Sequence, residues 1–100
     1  MIIYNVTVKI NTAVADEWLQ WMKAEHIPQV MSTGLFLENH IFKVLVDEPD
    51  GLTYSMQYLC RTMSDYEKYR IDHAPALQSE MLRKYKDHFV AFRTLLELVA

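Results

Sequence analysis

The hydrophobic periodicity of this chain switches between the two-residue repeat of a strand and the 3.6-residue repeat of a helix in one particular order, and that order leaves few folds open. Ile2, Tyr4, Val6, Val8 and Ile10 point one way while Asn5, Thr7 and Lys9 point the other, which describes a strand with one buried face. Asn11-Thr12 offers a helix cap, with Asp16 and Glu17 early enough to favour the positive end of the helix dipole. At about 100° per residue, Ala15, Leu19, Met22 and His26 share the centre of one helix face, Trp18 and Val30 flank it, and Trp21 lies further round. Pro28 lacks a backbone donor and restricts Ile27, so the helix kinks or stops near His26, and Gly34 ends it. Leu35 to Val46 reads as a strand that is apolar on both faces, with Phe36, Phe42, Val44 and Val46 on one side and Leu35, Leu37, Ile41 and Leu45 on the other. The turn residues Asp47-Glu48-Pro49-Asp50-Gly51 return Leu52 to Cys60 as the other arm of a hairpin, with Tyr54, Met56, Tyr58 and Cys60 on its apolar face. Ser64 and Glu67 have the spacing of a capping box. They start a second helix that runs toward Lys86 with a bend at Pro75, and Phe89 to Val99 supplies the last strand.

The order β-α-β-β-α-β specifies an α+β, ferredoxin-like fold, in which two helices cover one face of a four-stranded antiparallel sheet. One hundred residues, 51% hydrophobic with 2 Gly and 3 Pro, suffice for a single domain over 1–100. Helices on one side leave the apolar residues on the other side of the second and fourth strands uncovered, and a homodimer packed through the sheet face would cover them. The single Cys60 cannot form an internal disulfide, and Met1-Ile2-Ile3-Tyr4 enters a strand at once with no leader-like segment before it. No apolar run approaches the roughly 18 residues of a transmembrane helix, so the expectation is a cytoplasmic protein without a membrane role. The net charge is 10 minus 13, or −3, and Glu80 and Asp87 dilute the basic cluster Arg83, Lys84 and Lys86, so no nucleic-acid partner is expected.

Each helix carries a histidine two residues before a proline, in His26-Ile27-Pro28 and in His73-Ala74-Pro75. The offset, 73 minus 26 or 47, also carries Leu19 onto Tyr66, Met22 onto Tyr69 and Val30 onto Leu77, so the inward faces of the two helices correspond. Each imidazole has two possible roles. Either it bonds a backbone carbonyl freed by the proline, or it lines a cavity between helices and sheet, where a group titrating near ~6.5 serves as proton shuttle or hydrogen-bond anchor. His26 and His73 are therefore the catalytic candidates. Trp18, Trp21 and Tyr69 are candidates for stacking a flat ligand, against the alternative that an aromatic stripe at helical spacing is core. Trp21, off the centre of its face, is expected to be partly exposed. No third metal ligand recurs at useful spacing, so no metal site is expected. Cys60 reads as an inert buried thiol, and Arg93, among apolar neighbours, needs a partner in Glu97 or in a dimer mate.

The blocks MIIYNVTV, EWLQWMKAEHIPQVMSTGLF, LTYSMQY, HAPALQ and DHFVAFRTLLE cover nearly the whole chain. They resemble an uncharacterised bacterial domain-of-unknown-function family with a ferredoxin-like, dimeric α/β-barrel fold, distantly like antibiotic-biosynthesis-type monooxygenases. The resemblance implies a ligand cavity between helices and sheet in each protomer, and a superfamily that includes monooxygenases needing neither metal nor flavin, haem-degrading oxygenases, isomerases and decarboxylases. The haem-degrading members combine a strand asparagine with a tryptophan and a histidine of the second helix. Here Asn5 lies on the polar strand face, the tryptophan is absent and His73 falls too early, so no cofactor is expected. The expected function is a small dimeric protein that binds a hydrophobic or aromatic metabolite, with monooxygenase-like or isomerase-like turnover. The alternative is a non-catalytic structural or protein-interaction dimer with a filled core. A void of at least about 300 Å³ between helices and sheet is what a drug-sized ligand requires, and without one the pocket for such a ligand is to be dropped.

Overall fold

Alternating β-branched and aromatic residues put β1 at the centre of the molecule. In the computed structural model, which describes residues 1–100, β1 (Ile2–Asn11) pairs with β3 (Gly51–Cys60) on one side and β4 (Phe89–Glu97) on the other. β2 (Glu38–Lys43) lies beside β3, giving the antiparallel order β2-β3-β1-β4. Tyr4 stands opposite Tyr58 and Leu95, and Val6 opposite Met56 and Arg93. Residues facing each other across a ladder point to the same side, so all of these share the helix-covered face. The chain is thus α+β and ferredoxin-like, with an open sheet whose edges are β2 and β4; one chain closes no barrel.

Both helical segments are broken. The first comprises a 3-10 turn (Thr12–Val14), α1 (Ala15–Trp21), a π-helical turn (Met22–His26) and α2 (Ile27–Met31). The Ile27 N–H reaches back five residues to the Met22 carbonyl, and Pro28, next in the chain, has no N–H to continue the α ladder. Gly34, at φ 77°, takes the left-handed conformation that ends the segment. The second segment is interrupted at His73 (φ −125°) rather than bent at Pro75. It forms α3 (Met63–Asp72) and α4 (Ala74–Tyr85), with Pro75 in the first turn of α4, where its missing donor is harmless.

Three local expectations are corrected. Ser64 and Glu67 form no capping box. The cap is Thr62, whose hydroxyl accepts from the Asp65 N–H at 3.1 Å, and Glu67 pairs with Arg70 at 2.7 Å. Asn11 caps no helix, because its N–H donates to the His88 carbonyl at 2.8 Å and its side chain faces His88. The second strand is shorter than its apolar run: Phe36 precedes it and packs among Tyr4, Tyr58 and Tyr69.

Trp18, Val8, Ile10 and Cys60 are fully enclosed between the layers, each large apolar side chain contributing about 1.5–3 kcal/mol relative to exposure. Burial, and after it the charge of Asp65, pushes the Cys60 thiol up, away from the reactive thiolate. On the far face of the sheet, Phe42, Val90, Phe92 and Leu96 of the edge strands are exposed. Between them runs a polar stripe in which the Ser55 hydroxyl donates to Asn5 Oδ1 at 2.6 Å and the Asn5 amide donates to Thr7 at 3.1 Å. No helix is long and apolar enough to cross a membrane.

Candidate functional site

The paired central strands put two tyrosines, Tyr4 and Tyr58, side by side under the helices. The π turn brings His26 down from one helical segment and α3 brings Tyr69 from the other. Together with Arg93 of β4 they line a cleft between helices and sheet. Met22, Met56 and Met81 supply much of its apolar wall. Measured out to its mouth the cleft holds about 360 Å³ of space, but only about 30 Å³ lies deep enough to admit a water-sized occupant. That is room for about two waters, so the cleft as it stands falls short of the roughly 300 Å³ expected for a drug-sized ligand.

His26 is 9% exposed, and its Nδ1 is buried without a hydrogen-bond partner. Its ring lies 5.1 Å from that of Trp21, centroid to centroid. Burial, and after it the positive charge of Arg93, lowers its pKa from 6.5 to about 4, so the imidazole is neutral at neutral pH. Tyr58 and Tyr69 are shifted the other way: burial first, then neighbouring tyrosines, pushes both phenols up and keeps them protonated. Arg93 Nε donates to the Tyr4 hydroxyl at 3.0 Å, so the partner that a strand arginine requires is a tyrosine of β1 rather than Glu97. The site can therefore offer a neutral imidazole as hydrogen-bond acceptor, two phenol donors and one cation. No group of three His, Cys, Asp or Glu side chains is gathered as metal ligands.

The candidates read from the sequence fall in different places. His26 and Tyr69 line the cleft. His73 lies between α3 and α4, stacked on the outer side of Tyr69 at 6.3 Å, and is not in the lining. Trp18 is wholly enclosed against Tyr54 at 5.5 Å, also outside the lining. Trp21 backs His26 without lining the cleft. It is 7% exposed rather than partly open, because Tyr85 packs on it at 5.6 Å and the Lys84 ammonium sits 5.6 Å from its ring. Tyr4 and Tyr58 were legible only as apolar-face residues. The signal that separates them from Val or Ile is the hydroxyl, which a buried tyrosine must accommodate.

The geometry defines a ferredoxin-like α+β domain with a polar-tipped cleft between broken helices and an open sheet. A family model, Domain of unknown function (DUF4286), matches residues 1–99, and the chain belongs to that family. No curated protein matches it in sequence. Among solved structures it is similar to a dimeric ferredoxin-like protein from an uncultured marine organism, at 17% identity and TM-score 0.71, covering 100% of this chain and 96% of that one. It is also similar to an antibiotic biosynthesis monooxygenase, at 16% identity and TM-score 0.68 over the whole of both chains. An ethyl tert-butyl ether (EthD) family protein from Bacillus halodurans matches at 10% identity and TM-score 0.68, covering 99% of this chain and 100% of that one. At these identities the likeness shows the fold alone.

Proposed function

We propose that this protein binds a small aromatic metabolite in the cleft beside His26 and acts as a homodimer joined through the open sheet face. The observation that carries the reading is the buried, neutral imidazole with an unpartnered nitrogen, placed against a cleft where phenols and a guanidinium converge. Trp18 Nε1 and Trp21 Nε1 are buried without partners as well, and of the three side chains only His26 borders the cleft. The π turn that positions His26 is a feature frequently found at functional sites. The free space, room for about two waters, holds no ring as it stands, so the proposed ligand is a single ring admitted by rearrangement of the wall. Its admission requires Met22, Met56 and Met81 to change rotamer, which unbranched thioethers do readily. With its pKa of about 4 the imidazole is too weak a base to draw a proton from a phenol or a carbon acid at neutral pH, and what it offers a ligand is a hydrogen-bond acceptor.

Thermal shift with phenol, hydroquinone and benzoquinone tests the cleft. The expected result is a melting temperature that rises with probe concentration in the wild type and in His73→Ala, and stays flat in His26→Ala. If no probe shifts the wild type, the reading fails.

The small enclosed volume favours a second reading, a non-catalytic dimer whose interior is already filled; under it the dimer persists and no probe acts. The dimer is supported by the exposed Phe42, Val90, Phe92 and Leu96 and by the dimeric state of the marine neighbour. Light scattering should give about twice the 11.8 kDa of one chain, and Phe92→Asp should reduce that to a single chain. A monomeric wild type would refute the assembly.

A further inference from the structure

Arg93 stands out among the charges of this molecule. It lies on the helix-covered face of an edge strand, opposite Val6, where the neighbouring positions are Ala91 and Leu95. Its Nε is held by the Tyr4 hydroxyl, and none of the ion pairs in the structure includes it. An arginine that serves only solubility has no need to be anchored to the wall of a cleft. Burial aside, Arg93 is the one full charge that acts on His26 and on Tyr69. No carboxylate of this chain answers it within ion-pair distance, so the mouth of the cleft carries an uncompensated positive charge while the protein as a whole is negative, at −3. Arg93 and Gln78 also belong to a second, open groove of about 250 Å³ between α4 and β4, so the guanidinium stands where cleft and groove meet. A ligand ring seated toward His26 would leave its substituent at that junction, beside the planar fork of donors that suits a carboxylate.

We propose that the ligand of this cleft is an aromatic acid, its ring directed toward His26 and its carboxylate held by Arg93 at the junction of cleft and groove. The inference rests on the cleft being a binding site at all, and it adds the chemical class of the occupant. Neutral Tyr58 and Tyr69 fit the same picture, as phenol donors that compete with no anion.

Benzoate and benzamide, matched in shape and differing in charge, separate the two claims. Calorimetry at pH 7 should show benzoate binding the wild type about tenfold more tightly than benzamide, as expected for one charge-assisted hydrogen-bonded pair. Arg93→Gln should bring the ratio of benzoate to benzamide affinity to about one, and Arg93→Lys should retain part of the preference. Equal affinities in the wild type would overturn the anion site while leaving the cleft reading intact. Binding of neither probe would overturn both. A preference that survives Arg93→Gln would overturn the assignment to Arg93. So would an Arg93→Gln chain that turns monomeric in light scattering, because the partner of Arg93 would then be the second protomer.

Discussion

Lowering the pH from 6.5 to 4 will remove about 3 kcal/mol of stability through His26 alone, and His26→Leu will be spared that loss. The folded-state pKa of about 4 lies below the ordinary 6.5. Between those values the unfolded chain holds a proton on His26 that the native chain refuses. Protons therefore pull the equilibrium toward the unfolded state: the contribution is fully present above pH 6.5 and disappears as the pH falls toward 4. Carboxylates titrate in the same interval, so the informative quantity is the difference between urea midpoints of wild type and His26→Leu, measured at pH 7 and again near pH 4. At pH 7 the variant should equal or exceed the wild type, because leucine of similar volume removes a buried nitrogen that has no partner. It should at the same time lose every ligand response. A variant that gains stability and loses binding is the expected mark of a residue kept for function. A parallel pH dependence in both proteins would show that the imidazole is solvated or paired, and the cleft would then have no neutral acceptor to offer.

Trp18→Ala will cost about 3–5 kcal/mol, a large part of the roughly 5–15 kcal/mol that holds a domain folded. Trp18 is 0% exposed and faces Tyr54 between the first helical segment and the sheet, with few neighbours free to collapse into the space. For a domain near 100 residues that loss lowers the melting temperature by more than about 12 °C. Trp18→Phe should cost less and leave probe binding in the cleft unchanged, since Trp18 does not line it. A melting temperature within a few degrees of wild type for Trp18→Ala would mean that the indole is open to water rather than enclosed.

The element order was readable because the signals that carry it are local. Alternation in Ile2 to Ile10, the turn residues of Asp47 to Gly51 and the apolar face of Tyr54 to Cys60 each act within a few residues, and each strand lies where they place it. Boundaries slipped where two local rules competed. Ser64 and Glu67 satisfied the capping pattern in spacing, but Thr62 entered the extended conformation first and its hydroxyl took the Asp65 N–H. Phe36 looked like strand and became core, because a ring that can pack between Tyr4 and Tyr69 gains more there than at an exposed sheet edge. The site was legible in part. The proline signal located the break beside His26, yet the same signal at His73 gave a residue outside the cleft. Which face a side chain presents after a break depends on the kind of break, and neither proline specifies a π turn in one segment and a non-helical residue in the other. The fates of Trp18 and Trp21 were set by long-range packing on Tyr54 and Tyr85, which periodicity within one helix does not encode.

A π turn is a matter of residue number: it holds one more residue than the α-helical turn it replaces. The extra residue is taken up within that one turn, so α1 and α2 keep their phase across it. Removing one residue between Met22 and His26 would let the ladder close as α-helix with His26 and α2 kept nearly in phase with α1, because fewer residues at about 100° each then cover the same rotation. The first helical segment can therefore gain or lose one codon at this turn and still present the same faces to the sheet, which makes the π turn the place where its length drifts without disturbing the packing on either side.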